Sequence, residues 1–342
     1  MKTLLFFKPS NSSFIRQDEE FLRQRYRVKS FTFADGSFGE NIMSVLRQLL
    51  FLGFNLRRSS LVYVWFADYH SFFPLLLCKF LNKKSVLIIG GYDAARLPEY
   101  RYGAHINVFR SWVVGQNCKY ASKILAVSSF VLKNLVQNTH LAHSLKTHII
   151  YNGADTNSFQ PNYLVSKDGV ICVSGANTEK RIKIKGLDFF ADVAAAMPSI
   201  SFTVVGVTGR AREILEERRL ANLKIIEWLN KEELKEMLIR SKVICQFSRY
   251  ESFGLALAEG MLCGCIPVTV KNTGPEEIIS EEVGIAIPAL DVERAKDAIS
   301  RALSFSRDVE NKARLRVMSY FSLRKRQESI LKVLNELENT VK

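Results

Sequence analysis

Two glutamates eight residues apart, Glu251 and Glu259, are the groups in this chain whose type and spacing most directly suggest chemistry. They lie in RYESFGLALAEGMLCGCIPVTV, residues 249–270. The run before Glu251, Val243 to Phe247, is mostly β-branched or aromatic and predicts a buried parallel strand. Phe253 to Cys263 predicts a helix stopped by Gly264, and Ile266 to Val270 the next strand. Glu251 then falls at the carboxyl end of a strand, where open α/β sheets bind their ligands. Glu259 falls on an otherwise apolar helix, where a carboxylate is costly unless something pairs with it. The helix start offers backbone N–H groups at Phe253, Gly254 and Leu255, a setting that favours an anion. The pattern suits a diphosphate on the helix start, flanked by carboxylates that accept from sugar hydroxyls. A buried helix whose Glu pairs with a neighbouring Arg is the plainer alternative.

A second cluster is cationic. Residues 179–186, EKRIKIKG, hold Lys180, Arg181, Lys183 and Lys185 ahead of Gly186. They follow the strand predicted over Val170 to Ser174, so these charges stand at a strand's carboxyl end. A solvated charge run has the same composition. Gly274, at the start of the short helix predicted after Ile266 to Val270, offers further backbone donors.

The string E-S-F-G-L-A-L-A-E, with its E-x7-E spacing, resembles the signature of retaining GT-B glycosyltransferases of family 4, the glycosyl transferases group 1. The resemblance implies that Glu251 contacts the donor sugar, that Ser252, Phe253, Gly254 and Leu255 seat the diphosphate, and that Glu259 binds the nucleotide ribose. It implies that Lys185, with Gly186 behind it, and Arg181 neutralise the leaving group, with Gly274 adding to the donor site. It implies a hexosyltransferase that retains the anomeric configuration and uses no metal or other cofactor, only a nucleotide-diphosphate sugar as co-substrate. The segment IIYNGADTNSFQP, residues 149–161, resembles the family's interdomain segment. In the first half the cleft residues depart from the family pattern. The loop after the first strand lacks glycines and offers Ser10 and Asn11. The strand predicted over Ser85 to Ile89 runs into Gly90-Gly91-Tyr92-Asp93, where the family often has a His, so Gly91, Tyr92, Asp93 or His70 is left to contact sugar or acceptor.

The elements that must position these groups repeat along the chain. Strands alternate with helices of about 10–15 residues in both halves, the mark of parallel sheets covered by helices. With this alternation, the resemblance implies an α/β GT-B architecture: two Rossmann-like domains, residues 1–163 and 164–320, facing a central cleft, with 321–342 a helix crossing back to the first. Residues 1–163 are expected to bind the acceptor and 164–320 the nucleotide sugar. Length supports about two domains at ~100–200 residues each.

Composition bounds the rest. Of 342 residues, 47% are hydrophobic and 24% charged, as in globular proteins. Six scattered cysteines show neither C-x-x-C nor zinc-ligand spacing and read as reduced core residues of a cytosolic protein. The MKTLLFFKPS start predicts a first strand rather than a signal peptide, and no run approaches the ~18 apolar residues of a spanning helix. The net charge is +14, with 20 Lys and Arg against 9 Asp and Glu in residues 1–160. That excess points to an anionic partner: a membrane surface, a phosphorylated acceptor or nucleic acid. The apolar helix predicted over Asn41 to Phe54, ending at Arg57-Arg58, suits either membrane-surface docking or cover for a parallel sheet. A glycan or lipid-linked acceptor of cell-surface polysaccharide synthesis, at the cytoplasmic membrane face, is the expected partner. Other nucleotide-sugar chemistry on the same fold, epimerisation or phosphorolysis, is one alternative. A nucleic-acid-binding protein is the other, though no such signature accompanies the charge.

Overall fold

The computed structural model describes residues 1–34, 36–139 and 146–339, and the chain divides into two compact units. The first comprises Met1–Tyr151 and Arg326–Lys342, the second Asn152–Lys325.

In the first unit the strands are β1 (Thr3–Lys8), β2 (Arg27–Thr32), β3 (Leu61–Trp65), β4 (Lys84–Ile89), β5 (Lys123–Ala126) and β6 (Thr147–Ile149). They form one parallel sheet in the order β2-β1-β3-β4-β5-β6. Helices α1 (Ser13–Arg23), α2 (Phe38–Asn55), α3 (Tyr69–Phe80), α4 (Val108–Tyr120) and α5 (Ser129–Thr139) connect them. Every residue of β3 is buried, as is Leu4 to Lys8 of β1, the near-continuous apolar burial of a parallel sheet covered on both faces.

In the second unit β7 (Asp168–Ala176), β8 (Phe202–Val207), β9 (Leu223–Ile226), β10 (Ser241–Gln246), β11 (Ile266–Val270) and β12 (Ile285–Ile287) make a parallel sheet. Its order is β12-β11-β10-β7-β8-β9. The intervening helices are α6 (Glu179–Lys185), α7 (Leu187–Ala196), α8 (Gly209–Glu216), α9 (Lys231–Arg240), α10 (Leu255–Leu262), α11 (Gly274–Ile278), α12 (Val292–Ser304) and α13 (Arg307–Tyr320). The topology turns around between β7 and β10: successive strands leave that pair in opposite directions. Such a switch point opens a crevice at the strands' carboxyl ends.

The last helix, α14 (Leu323–Asn339), begins at the end of unit 2 and continues as part of unit 1. Its Ile330, Val333, Leu334 and Leu337 join the core of the first sheet, at the spacing of one helix face. Arg326 fixes its register. The guanidinium donates to both oxygens of Asp18 at 2.7 Å and to the backbone carbonyls of Ile150 and Tyr151. Tyr63 and Trp65 donate to the same carboxylate. Both charged side chains are 3% exposed, so this is a buried ion pair with its lone pairs met by further donors.

Two features differ from the sequence reading. Residues 179–185, read from the sequence only as a cationic cluster, form a helix. Thr178 caps it by accepting from the Arg181 N–H, and Glu179 pairs with Lys183 one turn on. Residues 152–163 pack with the second unit, so the expected division at 163/164 falls inside it. There Asp155 pairs with Lys231 at 2.8 Å, and Phe159 is buried.

A candidate donor-sugar site in the second unit

The site is built where the switch point requires it. β7 leads into α6, and β10 leads into the turn before α10; the two strands are hydrogen-bonded neighbours, with Val170 opposite Val243. Lys185, the last residue of α6, therefore meets Glu251 from the β10 turn, with Nζ to Oε2 at 2.7 Å. Gln246, the last residue of β10, donates from Nε2 to the same oxygen at 3.2 Å, and the Ser252 N–H donates to Oε1 at 3.0 Å. Both members of the ion pair remain about one-fifth exposed or less. They are held in place yet reachable.

Backbone closeness shapes this turn. Gly186 has φ +64°, and a Cβ there would lie 1.9 Å from the Phe247 carbonyl oxygen. Gly274 lies against the turn from the other side; a Cβ would lie 2.2 Å from the Ser252 oxygen, and its N–H donates to the Glu251 carbonyl. Only glycine fits at either place. No side chain caps the start of α10, which begins at Gly254 in a left-handed conformation. Its first-turn N–H groups therefore have no side-chain acceptor at the cap position. The Phe253 ring is buried against Phe321, so its side chain belongs to the packing beneath the turn.

Glu259 sits on α10, partly open to solvent, and no described residue hydrogen-bonds or ion-pairs with its carboxylate. Burial, partly offset by the Lys231 charge and reinforced by Asp155, pushes it up to about 7. The pairing with an Arg that the plainer alternative required is not made. Asp155 behaves oppositely. Burial alone raises it, but hydrogen bonds from Lys231 and Ser158 bring it down to about 2. Arg181 lies one turn before Lys185 on α6, hence on the same helix face; no described residue pairs with its guanidinium.

The first unit's candidates are less uniform. Ser10 and Asn11 are exposed beyond the end of β1, with the Ser10 hydroxyl 3.0 Å from that of Ser12. Asp93 is buried and turned inward. Burial raises it to about 6 even though the Ala67, Gly91 and Gly90 N–H groups donate to it. It organises the loop after β4 rather than presenting a carboxylate. Tyr92 accepts from Arg110 through its hydroxyl at 2.9 Å, and Arg110 is itself held by both oxygens of Asp68. Gly91 is buried at φ 131°. His70 is buried with Nε2 2.8 Å from the Trp65 carbonyl oxygen, a structural role.

Three residues of the second-unit site went unremarked in the sequence: Gln246, Asp155 and Lys231. Gln246 had a signal, being the one polar side chain in the run VICQF. Its carbonyl oxygen is buried without a partner, directed toward Gly254, where an added Cβ would meet it at 2.8 Å. Asp155 and Lys231 had none, being 76 residues apart.

Comparison with known proteins adds the chemical class. Residues 155–338, more than half of the chain, match the family described as Glycosyl transferases group 1. A probable sucrose-phosphate synthase of Thermosipho melanesiensis is 27% identical over 145 residues, covering 39% of this chain and 34% of that protein. The match thus spans about a third of that relative's length. Among solved structures, the sucrose-phosphate synthase of Thermosynechococcus elongatus aligns over 99% of this chain and 100% of its own, with TM-score 0.82 and 14% identity. Anabaena HepE, solved in complex with UDP, aligns over 98% and 100%, with TM-score 0.80 and 17% identity; it is also solved with UDP-glucose, at TM-score 0.76, 17% identity, and 97% and 99% coverage. At these identities the likeness shows the fold, which is GT-B.

Proposed function

Because the chain belongs to the glycosyl transferases group 1 family, we propose that its second unit binds a nucleotide-diphosphate sugar and that the enzyme transfers the sugar with retention, as in family 4. The observation that carries this reading is the Lys185–Glu251 pair at the β7/β10 switch point, beside an uncapped helix start. A diphosphate at the start of α10 receives backbone N–H bonds and the charge of Lys185 and Arg181. Electrostatic stabilisation of that kind makes a nucleoside diphosphate a good leaving group. Glu251, already oriented by Gln246 and the Ser252 N–H, accepts from a donor-sugar hydroxyl. Glu259, with no partner of its own, accepts from the ribose hydroxyls. Gly186, Gly254 and Gly274 let backbone approach the ligand, with Ser252 and Leu255 completing the turn.

In this reading Glu251 orients the sugar, held by Lys185 and Gln246, and does not attack it. A front-face reaction, in which the leaving phosphate oxygen takes the acceptor's proton, is consistent with retention and with a metal-independent step. The acceptor in this reading is a glycan or a lipid-linked saccharide of cell-surface polysaccharide synthesis, met through the first unit, where Ser10, Asn11 and Tyr92 are the candidate contacts. The six cysteines are buried and free, which suits a reducing, cytoplasmic setting.

The test is calorimetric binding of UDP-, GDP- and ADP-sugars, followed by transfer assays with and without EDTA. Saturable binding of one donor, abolished by Glu251→Ala in a folded protein, supports the reading. A folded wild-type protein that binds none of them refutes it.

A further inference from the structure

Helix α2 is amphipathic the wrong way round. Its inward stripe carries Ser44 and Gln48, which donate to the Ala34 and His70 carbonyls, followed by buried Leu52. Its outward stripe carries Ile42, Met43, Leu46, Leu50 and Phe54, the last two 63% and 76% exposed. A helix that merely covers a sheet shows water its polar side.

The neighbouring helices extend this face. α2 packs on α3 and α3 on α4. Tyr69 stacks with Phe109 and Phe109 with Trp112, at centroid distances of 6.0 and 5.8 Å; Phe109 and Trp112 are 62% and 50% exposed. A cavity of about 370 Å³ opens here, walled mainly by Phe33, Ile42, Val45, Leu46 and Tyr69. Apolar exposure this continuous marks an interaction surface.

Charge identifies the occupant. Helices α2, α3 and α4 contain one acidic residue, Glu40, and its carboxylate is committed to the Ser37 N–H at the start of α2. Arg47, Arg57, Arg58, Lys79 and Lys119 are exposed on or beside these helices, and no described residue forms an ion pair with them. An exposed apolar stripe with aromatic residues and a rim of unpaired cations fits the headgroup boundary of an anionic bilayer. No described helix is long and apolar enough to cross one, so the fit is to a surface.

We propose that the α2–α3–α4 face of the first unit docks on anionic phospholipid membranes, inserting the outward residues of α2 with Phe109 and Trp112 among the lipid chains. This goes beyond the glycosyltransferase reading and does not rest on it, since it concerns the outer helix face of the first unit and needs no donor.

The test is co-sedimentation of the full chain with phosphatidylcholine vesicles, with and without phosphatidylglycerol, in the absence of nucleotide. Nucleotide-sugar binding is measured on the same proteins as an independent readout. Binding is expected only to the anionic vesicles and to weaken with salt. Arg57→Gln/Arg58→Gln should weaken it about fivefold per cation, and Leu50→Asn/Phe54→Asn should abolish it. All four residues are exposed, so folding and donor binding should be unchanged in both variants. Equal binding to neutral vesicles, or wild-type sedimentation of the Leu50/Phe54 variant, overturns the proposal. So does a dimer, lost in that variant, that forms while no vesicle binding is seen; that result gives the face to a second copy.

Discussion

Replacing Glu259 by Gln should make the ligand-free protein more stable while weakening its hold on donor. Folding moves the Glu259 carboxyl from 4.5 to about 7 because burial disfavours its charged form. A carboxyl raised by folding binds more protons folded than unfolded between those two values, so stability falls as pH rises through that window. Below about pH 4.5 the glutamate costs nothing in this sense; above pH 7 its cost is fully present. At about 1.4 kcal/mol per pH unit the interval corresponds to about 3 kcal/mol, and the residue's partial exposure reduces that to about 2 kcal/mol. Gln mimics the neutral carboxyl. The variant should therefore match the wild type near pH 4.5 and unfold at higher temperature at pH 8. For a unit spanning Asn152–Lys325 the gain is on the order of 4–8 °C. Calorimetric scans at both pH values provide the assay. Donor binding should move the other way, because hydroxyls prefer the carboxylate: wild-type affinity should rise between pH 5.5 and 7.5, and the variant should lack that dependence. A Gln variant less stable than wild type at pH 8, with full donor affinity, would refute the reasoning.

Three other outcomes follow from the geometry. Lys185→Ala removes a cation from the proposed leaving-group site and leaves Glu251 unpaired; transfer should fall by about 10²–10³ in kcat, read in a coupled nucleotide-release assay, with the fold intact by circular dichroism. Gly274→Ala drives a methyl into the Ser252 carbonyl and should cost about 1–3 kcal/mol in denaturant titrations, with donor affinity lost alongside. Arg326→Met strands the buried Asp18 carboxylate and should destabilise the first unit by about 3–5 kcal/mol, whereas Asp18→Leu/Arg326→Met should recover most of that loss; a double variant no better than the single one would show that packing, not charge, dominates there.

The sequence made the sheets and the principal turn legible because their signals are local. Val243 to Phe247, then a polar turn, then a small-residue helix, then Ile266 to Val270, is one supersecondary unit whose parts constrain each other. Lys185 and Glu251 were legible singly, but their 2.7 Å contact follows from strand order, which periodicity does not encode. α6 was hidden because seven residues dense in lysine lack an apolar stripe, although Thr178 and Gly186 bracket them as caps. α13 was missed for the same reason: over Arg307–Tyr320 charged residues interrupt the pattern, and its buried face rests on Glu310, Ala313 and Val317. Asp93 showed the opposite failure. Its position after β4 invites a sugar, but the backbone amides around it claim the carboxylate first, a competition that only three-dimensional packing reveals. The outward apolar stripe of α2 was visible as a pattern, while the direction it faces was not.

The Asp18–Arg326 clamp joins positions 308 residues apart. During synthesis Asp18 emerges early, and its cationic counterpart arrives only after the whole second unit has left the ribosome. Until then, among the described residues, Tyr63 and Trp65 are the side chains that donate to it, and the first sheet lacks Ile330, Val333 and Leu334 from its core. Of the two units, the first thus begins earlier and is completed later, so a translation product halted within the second unit should be a ready substrate for chaperones and proteases.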